Sequence, residues 1–174
     1  MRTLLVLFII VMVFASSASS QQGAQNLPKT TSDPTKAFYL SAADVAAFAA
    51  KLPTVPNANT TVFERADPSS ISGLGYRMAV DRRTPPQNAA VHQTEPELWV
   101  VIDGSGAITT GGKVIPIEKD GKVVGRRIEG GTVQKLSRGD AVMIPEGVPH
   151  QVTEFNPSLT FLTFEIPRPR ATLP

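Results

Sequence analysis

The pattern of apolar and polar positions changes character several times along the chain. Leu4 to Ala15 is an unbroken apolar run of 12 residues. Residues 21–38 are mostly polar, carry Pro28 and Pro34, and show no period, which predicts a flexible lead-in. Ser41-Ala-Ala-Asp44 has the form of a capping box with Asp in the place of Glu, and Val45, Phe48, Ala49 and Leu52 follow at helical spacing. That predicts one short helix over Ala42 to Lys51, stopped by Pro53, with its apolar face against the rest of the domain.

From Thr60 onward the chain reads as short β-rich runs punctuated by turn residues. Expected strands are Thr60 to Glu64, Tyr76 to Val80, Glu97 to Ile102, Ala107 to Thr110, Lys113 to Glu118, Lys122 to Ile128, Thr132 to Leu136, Ala141 to Ile144, His150 to Glu154 and Leu159 to Ile166. Asp67 to Gly75 reads as a loop, and Asp103-Gly104 as a turn. Asp120-Gly121 is a hairpin signal. Many short strands at regular spacing predict an all-β, closed or double-sheet structure with one N-terminal helix. Phe161, Phe164 and Met143 are the expected core fillers. Asp140, just after Gly139, is expected in a turn.

The chain has 174 residues, which suits one domain, and no internal repeat. Met1-Arg2-Thr3, the apolar run and the small residues Ala15 to Ser20 together have the order of a secretory signal peptide. The run is short for a membrane span, which needs about 20 residues. The expectation is therefore cleavage after Ser20, export to a periplasm or the exterior, and no stable membrane anchor afterwards. There is no cysteine, so neither a disulfide nor a lipid-modified cysteine is available. Seventeen basic and 15 acidic residues leave a formal charge of +2, or +1 once Arg2 leaves with the leader. Arg82-Arg83 and Arg126-Arg127 are pairs and not patches, so no nucleic-acid partner is expected.

Only two histidines occur, and each lies in a spaced motif. His92 opens His92-Gln-Thr-Glu-Pro-Glu97-Leu-Trp-Val-Val-Ile-Asp-Gly104, which reads H-x4-E-x6-G. His150 closes Gly139-Asp-Ala-Val-Met-Ile-Pro145-Glu-Gly147-Val-Pro-His150, which reads G-x5-P-x-G-x2-H. Two imidazoles and a carboxylate form a ligand set for one divalent transition metal, with Fe, Mn and Zn all suited. On the strand after His92, Glu97, Trp99 and Val101 share one face, and Leu98, Val100 and Ile102 the other.

These two stretches resemble the paired motifs of the cupin superfamily, over roughly Thr60 to Pro167. The second motif agrees at Gly139, Pro145, Gly147 and His150, and the first at His92, Glu97 and Gly104. The usual pattern has a further histidine two residues before the second one, where this chain has Ala90. The resemblance implies a double-stranded β-helix, a small jelly-roll barrel spanning residues 39–167, with an extended tail at 168–174. It also implies a metal site built from His92, Glu97 and His150, one ligand short of the full set and so open to water, substrate or oxygen. Members of the superfamily include dioxygenases, isomerases, decarboxylases, lyases, storage proteins and sensors, so the fold is far better specified than the reaction.

Each residue also has a plainer reading. His92 could be a loop histidine, His150 a barrel histidine bonded to backbone, and Glu97 a solvated carboxylate. Glu95 could replace Glu97 as ligand or serve as a general base, and Gln93 could fill the fourth position through its amide oxygen. Trp99 could be core or a substrate platform. Of Tyr76 and Arg77 only one can point inward, and an inward Arg77 could bind a carboxylate. Three functions follow. One is a small-molecule metalloenzyme, oxygenase-type before isomerase or lyase. The second is a barrel that binds a small ligand without turnover, and the third a structural cupin. A homodimer through edge strands or the Lys113 to Ile128 hairpin is a further expectation.

Overall fold

The computed structural model describes residues 37–65, 75–166 and 168. The expected leader, most of the lead-in and tail, and most of the loop before Gly75 lie outside the described residues. Helix α1 spans Ala42–Lys51, as its capping signal predicts. Ser41 Oγ accepts from the Asp44 backbone N–H at 3.1 Å, and the Asp44 carboxylate accepts from the Ser41 N–H at 3.2 Å. Two of the four orphan donors of the helix N-terminus are thereby satisfied. At the other end Arg82 donates to the carbonyls of Leu52 at 2.6 Å and Ala49 at 2.8 Å, a cation placed on the negative end of the helix.

Among the described residues eight strands follow: β1 (Asn57–Arg65), β2 (Tyr76–Arg83), β3 (Glu97–Thr110), β4 (Lys113–Lys119), β5 (Lys122–Glu129), β6 (Thr132–Ser137), β7 (Ala141–Ile144) and β8 (His150–Glu165). The main sheet runs β1-β2-β8-β3-β6, with β7 also paired to β3, while β4 and β5 form a separate hairpin. All pairings are antiparallel. The β4–β5 turn has positive φ at both Asp120 (52°) and Gly121 (70°), the geometry a two-residue hairpin requires.

Two expected breaks are not breaks. Asp103-Gly104 was expected as a turn, yet β3 runs on through it to Thr110. The expected strands His150 to Glu154 and Leu159 to Ile166 are one strand, β8, continuous through Asn156-Pro157. The β3–β8 register shifts between Val101 and Asp103 and again between Gly104 and Ser105. Gly104 holds φ at +75°, and a Cβ there would lie 2.0 Å from the Ser158 carbonyl oxygen. The glycine serves a bulge that bends a strand, and from sequence a bulge and a turn ask for the same residue.

The bends make the double-sheet barrel. The first half of β3 pairs with the second half of β8 and with β7; the second half of β3 pairs with the first half of β8 and with β6. Side chains from both halves meet in one core: Trp99, Val101, Ile144, Leu159 and Phe161 from one, Ile108, Leu136 and Val152 from the other. A second cluster lies outside the barrel, where Phe48 and Ala49 of α1 cover Val62, Val80, Ile102 and Leu162. Of the expected core fillers, Phe161 is fully buried and Phe164 half-buried. Met143 is 55% exposed, because it sits opposite Leu98 on the outward face of β7, which no element among the described residues covers. Asp140 takes its turn role, accepting from the Ser137 N–H at 2.8 Å.

Candidate metal centre

Strand alternation decides what faces the barrel interior. Glu97, Trp99 and Val101 are buried while Leu98, Val100 and Ile102 face outward and are only half-buried. Glu97 opens β3 at the end of the barrel and His150 opens β8 from the other half. His92 lies on the segment between β2 and β3. Its carbonyl accepts from the Gly147 N–H at 2.7 Å, so the loop of the first motif is bonded to the turn of the second. Gly147 has φ of +75°, a backbone that glycine tolerates, and the turn it makes delivers His150 across the barrel.

The three side chains converge. Their ligand atoms all lie within 4.8 Å of one another. His92 Nε2 stands 3.6 Å from Glu97 Oε1, and His150 Nε2 stands 3.4 Å from Glu97 Oε2. Ligands at about 2.0–2.2 Å from a tetrahedral ion stand roughly 3.3–3.6 Å apart, a range that the two His–Glu separations match, while the group as a whole spreads over 4.8 Å. His150 Nδ1 lies 3.2 Å from the Val148 carbonyl, which can only accept, so Nδ1 carries the proton and Nε2 presents a lone pair. That lone pair faces Glu97 Oε2, which is buried and has no hydrogen-bond partner. Two acceptors facing each other out of water need a cation or a proton between them.

Burial acts on both groups. It pushes the Glu97 carboxyl above its ordinary range, with repulsion from Glu165 and Asp81 adding to the effect and His92 and Arg83 opposing it. It pushes the His150 imidazole below its ordinary range, with a smaller opposing effect from the Val148 carbonyl. A neutral imidazole is the form that binds metal. Behind them, Trp99 meets the His150 ring edge-on at 5.4 Å between centroids and stacks on Phe161 at 4.3 Å. Trp99 thus belongs to the core and also to the wall of the site.

A cavity of about 210 Å³ opens on this cluster, bounded by Arg83, Gln87, Ala90, Trp99 and Gln151 besides the three ligand candidates. Other residues singled out in the sequence lie elsewhere. Gln93 is exposed, and Glu95 accepts from the Thr94 hydroxyl at 3.1 Å; neither lines the cavity. Tyr76 is half exposed at the start of β2. Arg77 does share the inward face of β2, but it is ion-paired to Glu165 and donates to Thr61 Oγ1 at 3.1 Å. The inward residues that the sequence reading passed over are Asp81 and Arg83, at the same alternation as Ala79 on β2. Asp81 is buried, accepts from Thr163 Oγ1 at 2.7 Å, and lies 2.9 Å from Arg83 Nη1. Once β2 is extended three residues beyond Val80, period-two alternation alone brings Asp81 and Arg83 onto the Ala79 face.

Fold and cluster together define a double-stranded β-helix with a candidate metal centre at one end. Among solved structures the chain is similar to an uncharacterized conserved protein with a double-stranded β-helix domain from Klebsiella pneumoniae, at 17% identity and a TM-score of 0.49, covering 76% of this chain and 91% of that one. It is also similar to TT1209 of Thermus thermophilus, at 16% identity and a TM-score of 0.46, over 68% and 90% of the two chains. A third likeness is to the oxalate decarboxylase of Bacillus subtilis, a protein with Mn(II) centres, at 17% identity and a TM-score of 0.42, over 64% of this chain and 26% of that one. No family model matches the sequence, and no curated protein does.

Proposed function

We propose that this is an exported single-domain barrel in which His92, Glu97 and His150 hold one divalent transition metal for chemistry on a small molecule. The observation that carries the reading is the Nε2 lone pair of His150 facing an unpartnered, buried oxygen of Glu97 at 3.4 Å, with His92 closing the third side. A bound metal would supply Lewis acidity, oxygen activation or an acidified water. The chain's own part is to orient the imidazoles, exclude bulk water from Glu97, and keep one side of the cluster free at Ala90. Oxygenase-type chemistry on a small organic acid or phenol is the first choice, because two histidines and a carboxylate leave open positions as non-haem iron sites do. Isomerase or lyase chemistry at the same centre comes second.

A ligand-binding barrel without turnover is the rival reading, and one observation favours it. Apart from the three ligand candidates, no lining residue of the cavity among the described residues is a carboxylic acid or histidine that could act as a general base. Elemental analysis of the purified protein beside a His92→Ala/His150→Ala variant tests the metal. Near-stoichiometric metal in the parent and none in the folded variant is the expected result; no metal in either, after reconstitution, would sink the reading. Oxygen uptake by the iron-loaded protein over a panel of acids and phenols then separates enzyme from binder.

A further inference from the structure

We infer that Arg83 is the anchor for a carboxylate, so that the cavity beside the triad takes a small organic acid and not a neutral compound or a phenol. The inference rests on the metal reading above and narrows it. Arg83 closes β2 on the inward face and lines the same cavity as His92, Glu97 and His150. Its guanidinium carbon sits 5.5 Å from the centre of the Phe161 ring, which holds the plane from one side. Asp81 holds Nη1 at 2.9 Å as an ion pair, but out of line for a hydrogen bond. The remaining N–H groups of Arg83 have no protein acceptor among the described residues. A guanidinium packed on an aromatic face, held by one carboxylate and open on its other edge, is suited to receive a second carboxylate.

Charge bookkeeping points the same way. Arg77 and Glu165 neutralise each other at the rim of the inward face. That leaves Arg83, Asp81 and Glu97 with a divalent cation and two neutral imidazoles. One positive charge remains uncompensated in a half-buried site, and one carboxylate balances it. The volume of about 210 Å³ lies below the range for drug-sized ligands, so the acid is small. Asp81 acts through Arg83, with Thr163 fixing the Asp81 carboxylate in turn.

The test is calorimetric titration of the zinc-loaded protein with acetate, pyruvate and succinate, each against its amide. Zinc is chosen because it binds without redox chemistry. At least one acid should bind, its amide should bind about ten-fold more weakly or not at all, and loss of Arg83 should cost about ten- to a hundred-fold. Arg83→Gln strands Asp81 and could unfold the barrel, so the deciding variant is Arg83→Gln/Asp81→Asn, which removes both charges together. Zinc content and far-ultraviolet circular dichroism are read on the same samples. If the folded double variant keeps the parent's affinity, if amides bind as well as acids, or if no acid binds, the inference is overturned. If the parent takes no zinc yet binds an acid in an Arg83-dependent way, the anchor stands and the triad reading falls.

Discussion

Ala90 and His150 face each other across a two-bond antiparallel bridge: the Ala90 N–H donates to the His150 carbonyl at 2.9 Å and the His150 N–H to the Ala90 carbonyl at 3.0 Å. Directly opposed residues in such a pair send their side chains to the same face. The methyl of Ala90 therefore stands beside the His150 imidazole and lines the cavity, where the related motif has a histidine. Ala90→His should add a fourth ligand. The expected outcome is metal held about ten-fold or more tightly in competition with a chelator, and weaker binding of any ligand that uses the open side.

Glu97 is costly to the metal-free protein. Its carboxyl is raised by burial, so the folded state loses stability relative to the unfolded chain as pH rises from the ordinary value of 4.5 through the raised one. Glu97→Gln removes that penalty. In metal-free protein at pH 7 to 8 the variant should melt higher, by a few degrees for each ~1 kcal/mol recovered. Added zinc should stabilise the parent and leave the variant nearly unmoved. Thermal melts of both, with and without zinc, check this.

His150 has the opposite sign. Its lowered value means the folded state resists protonation, so its contribution is intact above the ordinary 6.5 and declines as pH falls below it. Metal retention should fall over the same range, since both histidines must be neutral to bind. Metal content after dialysis at stepped pH, from 8 down to about 5, should fall earlier than chain unfolding monitored on the same samples.

Gly104 tests the bend. An added methyl would meet the Ser158 carbonyl at 2.0 Å on a backbone with φ of +75°. Gly104→Ala should cost about 2 kcal/mol or more, a drop of roughly 5 °C or more in Tm, though Gly104 touches no ligand candidate.

Export is checked by the mass of the protein recovered outside the cytoplasm. The expected N-terminus is Gln21; recovery of the intact 18.6 kDa chain in the membrane fraction would contradict cleavage.

Local chemistry was the readable part of this fold. The Ser41–Asp44 cap and the periodic Val45, Phe48 and Leu52 determine α1 within a few residues, so its limits could be read directly. β7 is likewise bounded by Gly139 and Pro145. The long strands were not readable, because Gly104 and Pro157 are punctuation in a sequence but lie inside β3 and β8. The clustering of His92, Glu97 and His150 was readable because both motifs carry their own turns. Arg83 was not, since its importance depends on register: Asp81 and Arg83 stand opposite Phe161 and Leu159 of β8, and no short-range pattern announces a partner some 80 positions away. Arg77, which an inward orientation would make a carboxylate binder, is ion-paired to Glu165 on the neighbouring strand.

The β4–β5 hairpin stands apart from the main sheet but is not loosely attached. Arg126 accepts from the Ala89 N–H at 3.0 Å and donates to Asn88 Oδ1 at 2.9 Å, while Gln151 takes the Ile128 N–H at 3.2 Å and donates to the Gln87 carbonyl at 2.8 Å. Ala89 is thus bonded to the hairpin and Ala90, the next residue, to His150. Residues 89 and 90 therefore fasten the hairpin and the strand end that carries an imidazole to one and the same stretch of backbone.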